Sequence, residues 1–263
     1  MAGIILTEKM RQSFENDSFL HIKQSLFSTA DLIKLRDYLL SYVLALPEDI
    51  RGTYFTGNRA IRRPLYQDWV SAPILVDLVE QILGPDIAYF NFALCYKPPR
   101  SQFRVGLHID SHYWVETNCI DPNKVLTVFI PLTGIKKEEG CLRVLPGLNE
   151  CRLYPHKKLE PKNNYFHWEI DDKKLDLTKL VDVEMEANQV CLLKSGLIHG
   201  SDCNSSSDHR LGLTIRYISA DAKYNPLEDD PRKMILLKGK NLAGNDYQNL
   251  DSREFVGGFS WSK

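Results

Sequence analysis

The sequence predicts a mainly β protein, an antiparallel jelly roll behind a helical layer. Apolar residues at three-and-four spacing are confined to the first third of the chain. Short strand-like runs fill most of the rest, and no helices recur between them as a parallel βαβ sheet would require. Ser28 to Leu46 carries Leu32, Leu35, Leu39, Leu40 and Val43 on one helical face, and Ser71 to Leu83 repeats the pattern with Leu75, Leu78 and Ile82. Between them, Asp49 to Asp68 is rich in Arg, Gly and Tyr and reads as a loop.

Six strands are expected from the apolar runs Ile87–Lys97, Phe103–Asp110, Val125–Thr133, Cys141–Leu145, Gln189–Lys194 and Leu211–Ser219. Turn residues separate them at Pro98-Pro99, Asp121-Pro122, Glu139-Gly140 and Pro146-Gly147. Residues 151–188 interrupt the strands with a Lys- and Asp-rich insertion expected to cover one end of the barrel. The expected organisation is one domain over 1–263: a mainly helical layer at 1–86, the jelly-roll core at 87–220 and an extension at 221–263.

Thirty-three Lys plus Arg against thirty-four Asp plus Glu leave a formal charge of -1, so no net pull towards nucleic acid or an anionic membrane is expected. A small-molecule substrate bound at a local site is the partner this balance allows. The six cysteines lie far apart without a CxxC pair, and no signal-peptide-like or membrane-length apolar run is present, so a cytoplasmic protein with free thiols is expected. Cys95, Cys141 and Cys191 sit in apolar runs and read as small core residues.

The chemistry concentrates in Arg104-Val105-Gly106-Leu107-His108-Ile109-Asp110. Strand alternation puts Val105, Leu107 and Ile109 on one face and Arg104, Gly106, His108 and Asp110 on the other. An imidazole and a carboxylate two residues apart on a pocket-facing side can chelate one metal ion. Two histidines with one carboxylate suit Fe(II) and leave three coordination positions open. His167-Trp168-Glu169 is a rival HxE, but it lies in the hydrophilic insertion without an alternating strand around it.

His199 is the best second histidine, since it follows the buried-strand run Val190–Leu193 and the Ser195-Gly196 turn. Arg210, eleven residues later, opens a strand whose parity places Arg210, Gly212, Thr214 and Arg216 on one face. An arginine fork facing the pocket can hold a carboxylate at two points. Taken singly, a strand-end histidine is more often structural and a strand arginine more often reaches solvent. The ordered set HxD, His and Arg, with strands in each required place, favours a site.

At these residues the chain resembles the phytanoyl-CoA dioxygenase family of Fe(II)- and 2-oxoglutarate-dependent oxygenases. The resemblance runs from Ala88 to Ala220 through Tyr96-Lys97-Pro98-Pro99, His108 to Trp114, Phe129 to Thr133, Gly140 to Gly147 and His199 to Tyr217. It implies a double-stranded β-helix of the cupin-like kind, with His108, Asp110 and His199 as iron ligands. It also implies that Arg210 grips the distal carboxylate of 2-oxoglutarate and that Ser201 and Trp114 line the co-substrate site. O2 is the third reactant, and the implied reaction is hydroxylation of an unactivated carbon. Halogenating relatives replace the carboxylate ligand with a small residue, whereas Asp110 is retained. The family often follows its Pro-Gly turn with Ser-His; here Pro146-Gly147 runs into Leu148-Asn149, so a supporting role at that turn is not carried over.

For the substrate, Arg104 by parity and Tyr54, Arg59, Arg62 and Arg63 in the early loop are candidates to receive a polar or anionic group, although a solvated basic loop fits the last three arginines equally well. The family likeness suggests natural-product tailoring by a microbial member, with a cyanobacterial alkaloid such as a cylindrospermopsin precursor as one candidate. Two alternatives stay open: a cupin-like metalloenzyme that does not use 2-oxoglutarate, and a non-catalytic jelly-roll binding module.

Overall fold

A computed structural model describes residues 3–47, 55–56, 65–112, 120–147, 154–159, 168–226 and 234–248. Helices α1 (Glu8–Asp17), α2 (Thr29–Leu44), α3 (Leu65–Val70) and α4 (Pro73–Leu83) form the helical layer. Ser28 caps α2 by accepting a hydrogen bond from the Asp31 amide, and Pro73 opens α4 where a missing N–H costs nothing.

The larger sheet has eight strands. Its path runs β1 (Phe19–Ile22), β10 (Val190–Lys194), β5 (Val125–Pro131), β12 (Arg210–Ser219), β3 (Ile87–Lys97), β13 (Met234–Lys238) and β14 (Tyr247–Gln248), with β2 (Phe55–Thr56) also pairing β3. The smaller sheet orders β4 (Val105–His108), β11 (Ile198–Ser201), β6 (Leu142–Leu145) and β9 (Val181–Val183). A separate pair, β7 (His156–Lys158) and β8 (Trp168–Ile170), belongs to the insertion. Except for β13 with β14, the named strand pairs are antiparallel, as the short connections predict.

Alternation along β12 sorts the molecule into layers. Leu211, Leu213, Ile215 and Tyr217 join Val128, Ile130 and Leu192 in the core beneath Leu35, Leu39, Trp69, Leu75 and Leu78 of the helices. On the opposite face Phe129, Cys191 and Leu193 meet Leu142 and Val144 of the smaller sheet, so the interior between the sheets is apolar at one end. The cavity described below adjoins this cluster and shares Phe129, Leu142 and Leu193 with it.

The mainly helical stretch 1–86 also holds the short strands β1 and β2, and the C-terminal extension holds β13 and β14. β9 falls within 151–188 but pairs with β6 as part of the barrel. In the rest of the described insertion, Tyr154, Ile170, Leu175 and Leu180 pack on Ile109, Leu145 and Ile198, the outer face of the smaller sheet, and the His156 ring lies 4.2 Å from that of His112, two residues beyond Asp110. Among the described residues no helix is long and apolar enough to cross a membrane.

Candidate metal centre

Strands β4 and β11 build the centre by register. His199 pairs directly with His108, and their rings lie 4.2 Å apart between centroids. Asp110 follows two residues beyond His108, and ligand atoms of all three buried side chains lie within 4.8 Å of one another. Each imidazole is oriented by its own backbone. His108 Nδ1–H donates to the Gly106 carbonyl at 2.9 Å, and His199 Nδ1–H donates to the Leu197 carbonyl at 2.9 Å. Because a carbonyl can only accept, both Nδ1 atoms carry a proton, which leaves Nε2 of each ring as the atom that could bind a metal.

Burial, followed by the neighbouring His199, pushes the His108 pKa down to about 3, so its ring is neutral at physiological pH. Asp110 shows a contest. Burial pushes its carboxyl up, but the Arg216 guanidinium, with help from the histidines, outweighs it and holds Asp110 well below the usual carboxylate range. Arg216 contacts both carboxylate oxygens, Nη2 at 2.7 Å from Oδ1 and Nε at 3.0 Å from Oδ2, and the Thr127 hydroxyl donates to Oδ2 at 2.9 Å. Two imidazoles and one anionic carboxylate on one side of a cavity fit a divalent metal of the Fe(II) type.

The same cavity, about 450 Å³ including its mouth, is lined by Arg210, Ser201, Cys95 and Phe129 as well as the histidines. Arg210 is buried and 5.4 Å from the Phe129 ring centroid, measured from Cζ. That stacking needs Gly212, because a Cβ there would meet the Phe129 ring at 2.7 Å. Among the described residues, Arg210 Nη1 makes only a long contact of 3.4 Å to the Cys95 carbonyl, and its Nε has no hydrogen-bond partner. Burial lowers the Arg210 pKa from its ordinary value. A buried guanidinium with unused donors fits an incoming carboxylate.

Lys97 pairs with Arg210 across β3 and β12 and is also buried. Its ammonium donates to Ser201 Oγ at 2.7 Å, to the Ser201 carbonyl at 3.2 Å and to the Asp202 carbonyl. Burial, then Arg210, drive its pKa well below the ordinary lysine value. Ser201 is thus presented to the cavity by Lys97.

Arg104 departs from its expected face. His199 pairs with His108 while Ser201 pairs with Val105, so β4 holds one residue more than β11 over this stretch, a bulge. Simple alternation therefore breaks: Val105 lines the cavity with His108, and Gly106 faces the insertion, where a Cβ would meet Glu169 Cβ at 2.8 Å. Arg104 goes with Gly106, and its guanidinium pairs with Glu169 at 2.9 Å. Glu169, the carboxylate of the rival HxE, is buried and also within 3.3 Å of Lys157, so it serves this network. Tyr54, Arg59, Arg62, Arg63, Trp114 and His167 lie outside the described residues. Lys97, Thr127 and the partner of Arg216 were missed from sequence; only the parity of β12 pointed to Arg216 as pocket-facing.

Fold and site together define a double-stranded β-helix whose two sheets enclose a two-histidine, one-carboxylate centre beside a buried arginine. The phytanoyl-CoA dioxygenase family model matches residues 49–212, and the chain belongs to this family. Peroxisomal phytanoyl-CoA dioxygenase of Rattus norvegicus is 30% identical over 184 residues, 68% of this chain and 53% of that protein. A probable alpha-ketoglutarate-dependent hypophosphite dioxygenase of Stutzerimonas stutzeri is 30% identical over 175 residues, 62% of this chain and 58% of that one. The alignments thus span little more than half the length of these two relatives. EctD from S. alaskensis, solved with 2-oxoglutarate and 5-hydroxyectoine, shares the fold with a TM-score of 0.69 at 16% identity, covering 93% of this chain and 86% of that one.

Proposed function

We propose that this protein is an Fe(II)- and 2-oxoglutarate-dependent dioxygenase that hydroxylates an unactivated carbon of a small polar metabolite. One observation carries the reading: a buried arginine with an unpartnered Nε shares a cavity with the His108, Asp110 and His199 cluster. That pairing supplies a metal-binding face and a carboxylate receptor in one enclosure, which a metalloenzyme without 2-oxoglutarate would not need.

His108 and His199 offer their Nε2 lone pairs and Asp110 one carboxylate oxygen to the metal. Arg210 grips the distal carboxylate of 2-oxoglutarate, with Ser201 held ready by Lys97 as an additional polar contact. Val105, Leu193 and the Phe129 ring line the enclosure and keep bulk water from it. When bound, Fe(II) and 2-oxoglutarate with O2 supply the oxidising power that turns a C–H bond into C–OH, releasing succinate and carbon dioxide.

Two similar proteins support a small polar substrate, the probable hypophosphite dioxygenase and EctD with its bound 5-hydroxyectoine, while peroxisomal phytanoyl-CoA dioxygenase keeps an acyl thioester among the candidates. Tyr54, Arg62 and Arg63 are the proposed substrate contacts and Trp114 a further co-substrate contact. Arg104 is left out because Glu169 engages it. A natural-product substrate, down to a cyanobacterial alkaloid, is the finest form of the proposal, as are a single domain and a cytoplasmic setting for the free thiols of Cys95, Cys141, Cys191 and Cys203.

The test is succinate release by anaerobically loaded protein, started with oxygen, across a panel of amino acids, acyl thioesters, small oxyanions and alkaloid-like metabolites. Turnover must require both Fe(II) and 2-oxoglutarate. Unchanged 2-oxoglutarate affinity in Arg210→Ala would remove the co-substrate assignment.

A further inference from the structure

We infer that Arg216 and Thr127 act as positioning residues that restrict Asp110 to holding the metal through Oδ1 alone, keeping a coordination position open for the co-substrate; this rests on the metal-site reading above. A carboxylate has two oxygens and about four lone-pair sites, and it can chelate a metal with both oxygens. A centre that would have to seat two oxygens from the keto-acid end of 2-oxoglutarate and then O2 has no position to spare.

The hydrogen bonds of Asp110 decide how many of those sites remain. Oδ2 accepts from Arg216 Nε at 3.0 Å and from Thr127 Oγ1 at 2.9 Å, so two donors use its lone pairs. Oδ1 accepts from Arg216 Nη2 at 2.7 Å, its one donor among the described residues. Oδ1 is also the oxygen that approaches the other ligands, 3.8 Å from His108 Nε2. Among the described residues, donors fill three of about four sites, and the one left lies on the side of His108.

The pair is built into the sheet. Thr127 and Arg216 are register partners on β5 and β12, and Asn91, the register partner of Arg216 on β3, accepts from Arg216 Nη1 at 3.2 Å. Three strands of the larger sheet therefore hold the fork in place across the cavity from β4. The Arg216 side chain is 13% exposed, so solvent competes weakly for these donors.

The experiment uses the full chain, freed of metal and loaded with Co(II) alone, then titrated with 2-oxoglutarate without oxygen. Wild-type protein, Thr127→Val and Arg216→Met are compared by Co(II) visible absorption and by calorimetry. The expected result is that both variants keep Co(II) affinity within a few-fold, unlike the loss typical of a removed supporting partner, because the freed Oδ2 adds to the coordination and offsets it; the visible band weakens for the same reason, and 2-oxoglutarate binds about tenfold or more weakly. Thr127→Val, which removes a hydroxyl and preserves shape, gives the answer if Arg216→Met fails to fold. The inference is overturned if the Co(II) band and 2-oxoglutarate affinity stay at wild-type values, or if Co(II) affinity falls as steeply as 2-oxoglutarate affinity. Failure of wild-type protein to take up Co(II) would instead sink the metal-site reading on which the inference stands.

Discussion

His108 and His199 face each other across the β4–β11 pair with the same backbone device on each: Nδ1–H donates at 2.9 Å to the carbonyl two residues earlier, Gly106 for one and Leu197 for the other. The paired strands thus fix the separation of the rings and also their tautomers. Loss of either ring is expected to cost more than the ten- to hundredfold in metal affinity typical of a supporting partner. His108→Ala and His199→Ala, titrated with Co(II), should each lose at least about a hundredfold, and a smaller loss in either would remove that residue from the centre.

Arg210 should control co-substrate affinity and leave metal affinity nearly untouched. Removing one member of a buried, hydrogen-bonded charge pair costs about 2–5 kcal/mol. Arg210→Ala is therefore expected to raise the 2-oxoglutarate KM by about thirtyfold or more, with Co(II) binding within a few-fold of wild type. Arg210→Lys should recover only part of this, because a point charge cannot reproduce the two-point fork.

Acid should destabilise the metal-free protein through His108. The unfolded chain takes up a proton near the ordinary histidine pKa of 6.5, while the folded ring resists protonation down to about 3. Unfolding therefore binds a proton between those limits, and stability falls as pH drops through that window, by about 1.4 kcal/mol per unit at most from this group. Asp110 adds to the loss only below the ordinary aspartate range, where its unfolded carboxyl is protonated first. Urea unfolding at pH 7 and pH 5 should show the decline, and His108→Gln should make it shallower; an equal slope in both proteins would contradict the assignment.

The bulge in β4 gives a prediction about Gly106. A methyl group there would press on Glu169 Cβ from 2.8 Å, and the Gly106 carbonyl is the acceptor that orients His108. Gly106→Ala should lower the unfolding midpoint by an amount equivalent to about 1–3 kcal/mol of overpacking and weaken Co(II) binding with it. Arg104→Gln breaks a partly exposed pair and should cost about 1 kcal/mol or less. It should leave both Co(II) and 2-oxoglutarate affinity near wild type; a large rise in substrate KM would return Arg104 to the cavity.

Much of this architecture was legible as pattern. The helices at Thr29–Leu44 and Pro73–Leu83 and the strands Ile87–Lys97 and Arg210–Ser219 lie within a few residues of the apolar periodicities that predict them, because burying one face of a helix or strand writes a fixed period into the sequence. Short edge strands such as Phe19–Ile22 and Val181–Val183 were not legible: three or four residues carry too little period to stand out. The apolar run Met234–Lys238 is short and set in a polar tail, so its continuous apolar pattern does not by itself distinguish strand from helix.

The sequence alone determined which residues have the chemistry of a metal centre and a carboxylate receptor: His108, Asp110, His199 and Arg210 stand in strands or at strand ends, with side-chain types that no apolar core would select. Tertiary structure alone decided what surrounds them. The β4 bulge turned Arg104 out to Glu169, since one extra residue reverses every parity argument before it. The registers of β3, β5 and β12 brought Arg216, Thr127 and Asn91 together around Asp110 from positions far apart in the chain. Alternation is a local rule that a chain obeys residue by residue, whereas register depends on how separate strands pack, and no local spacing encodes it.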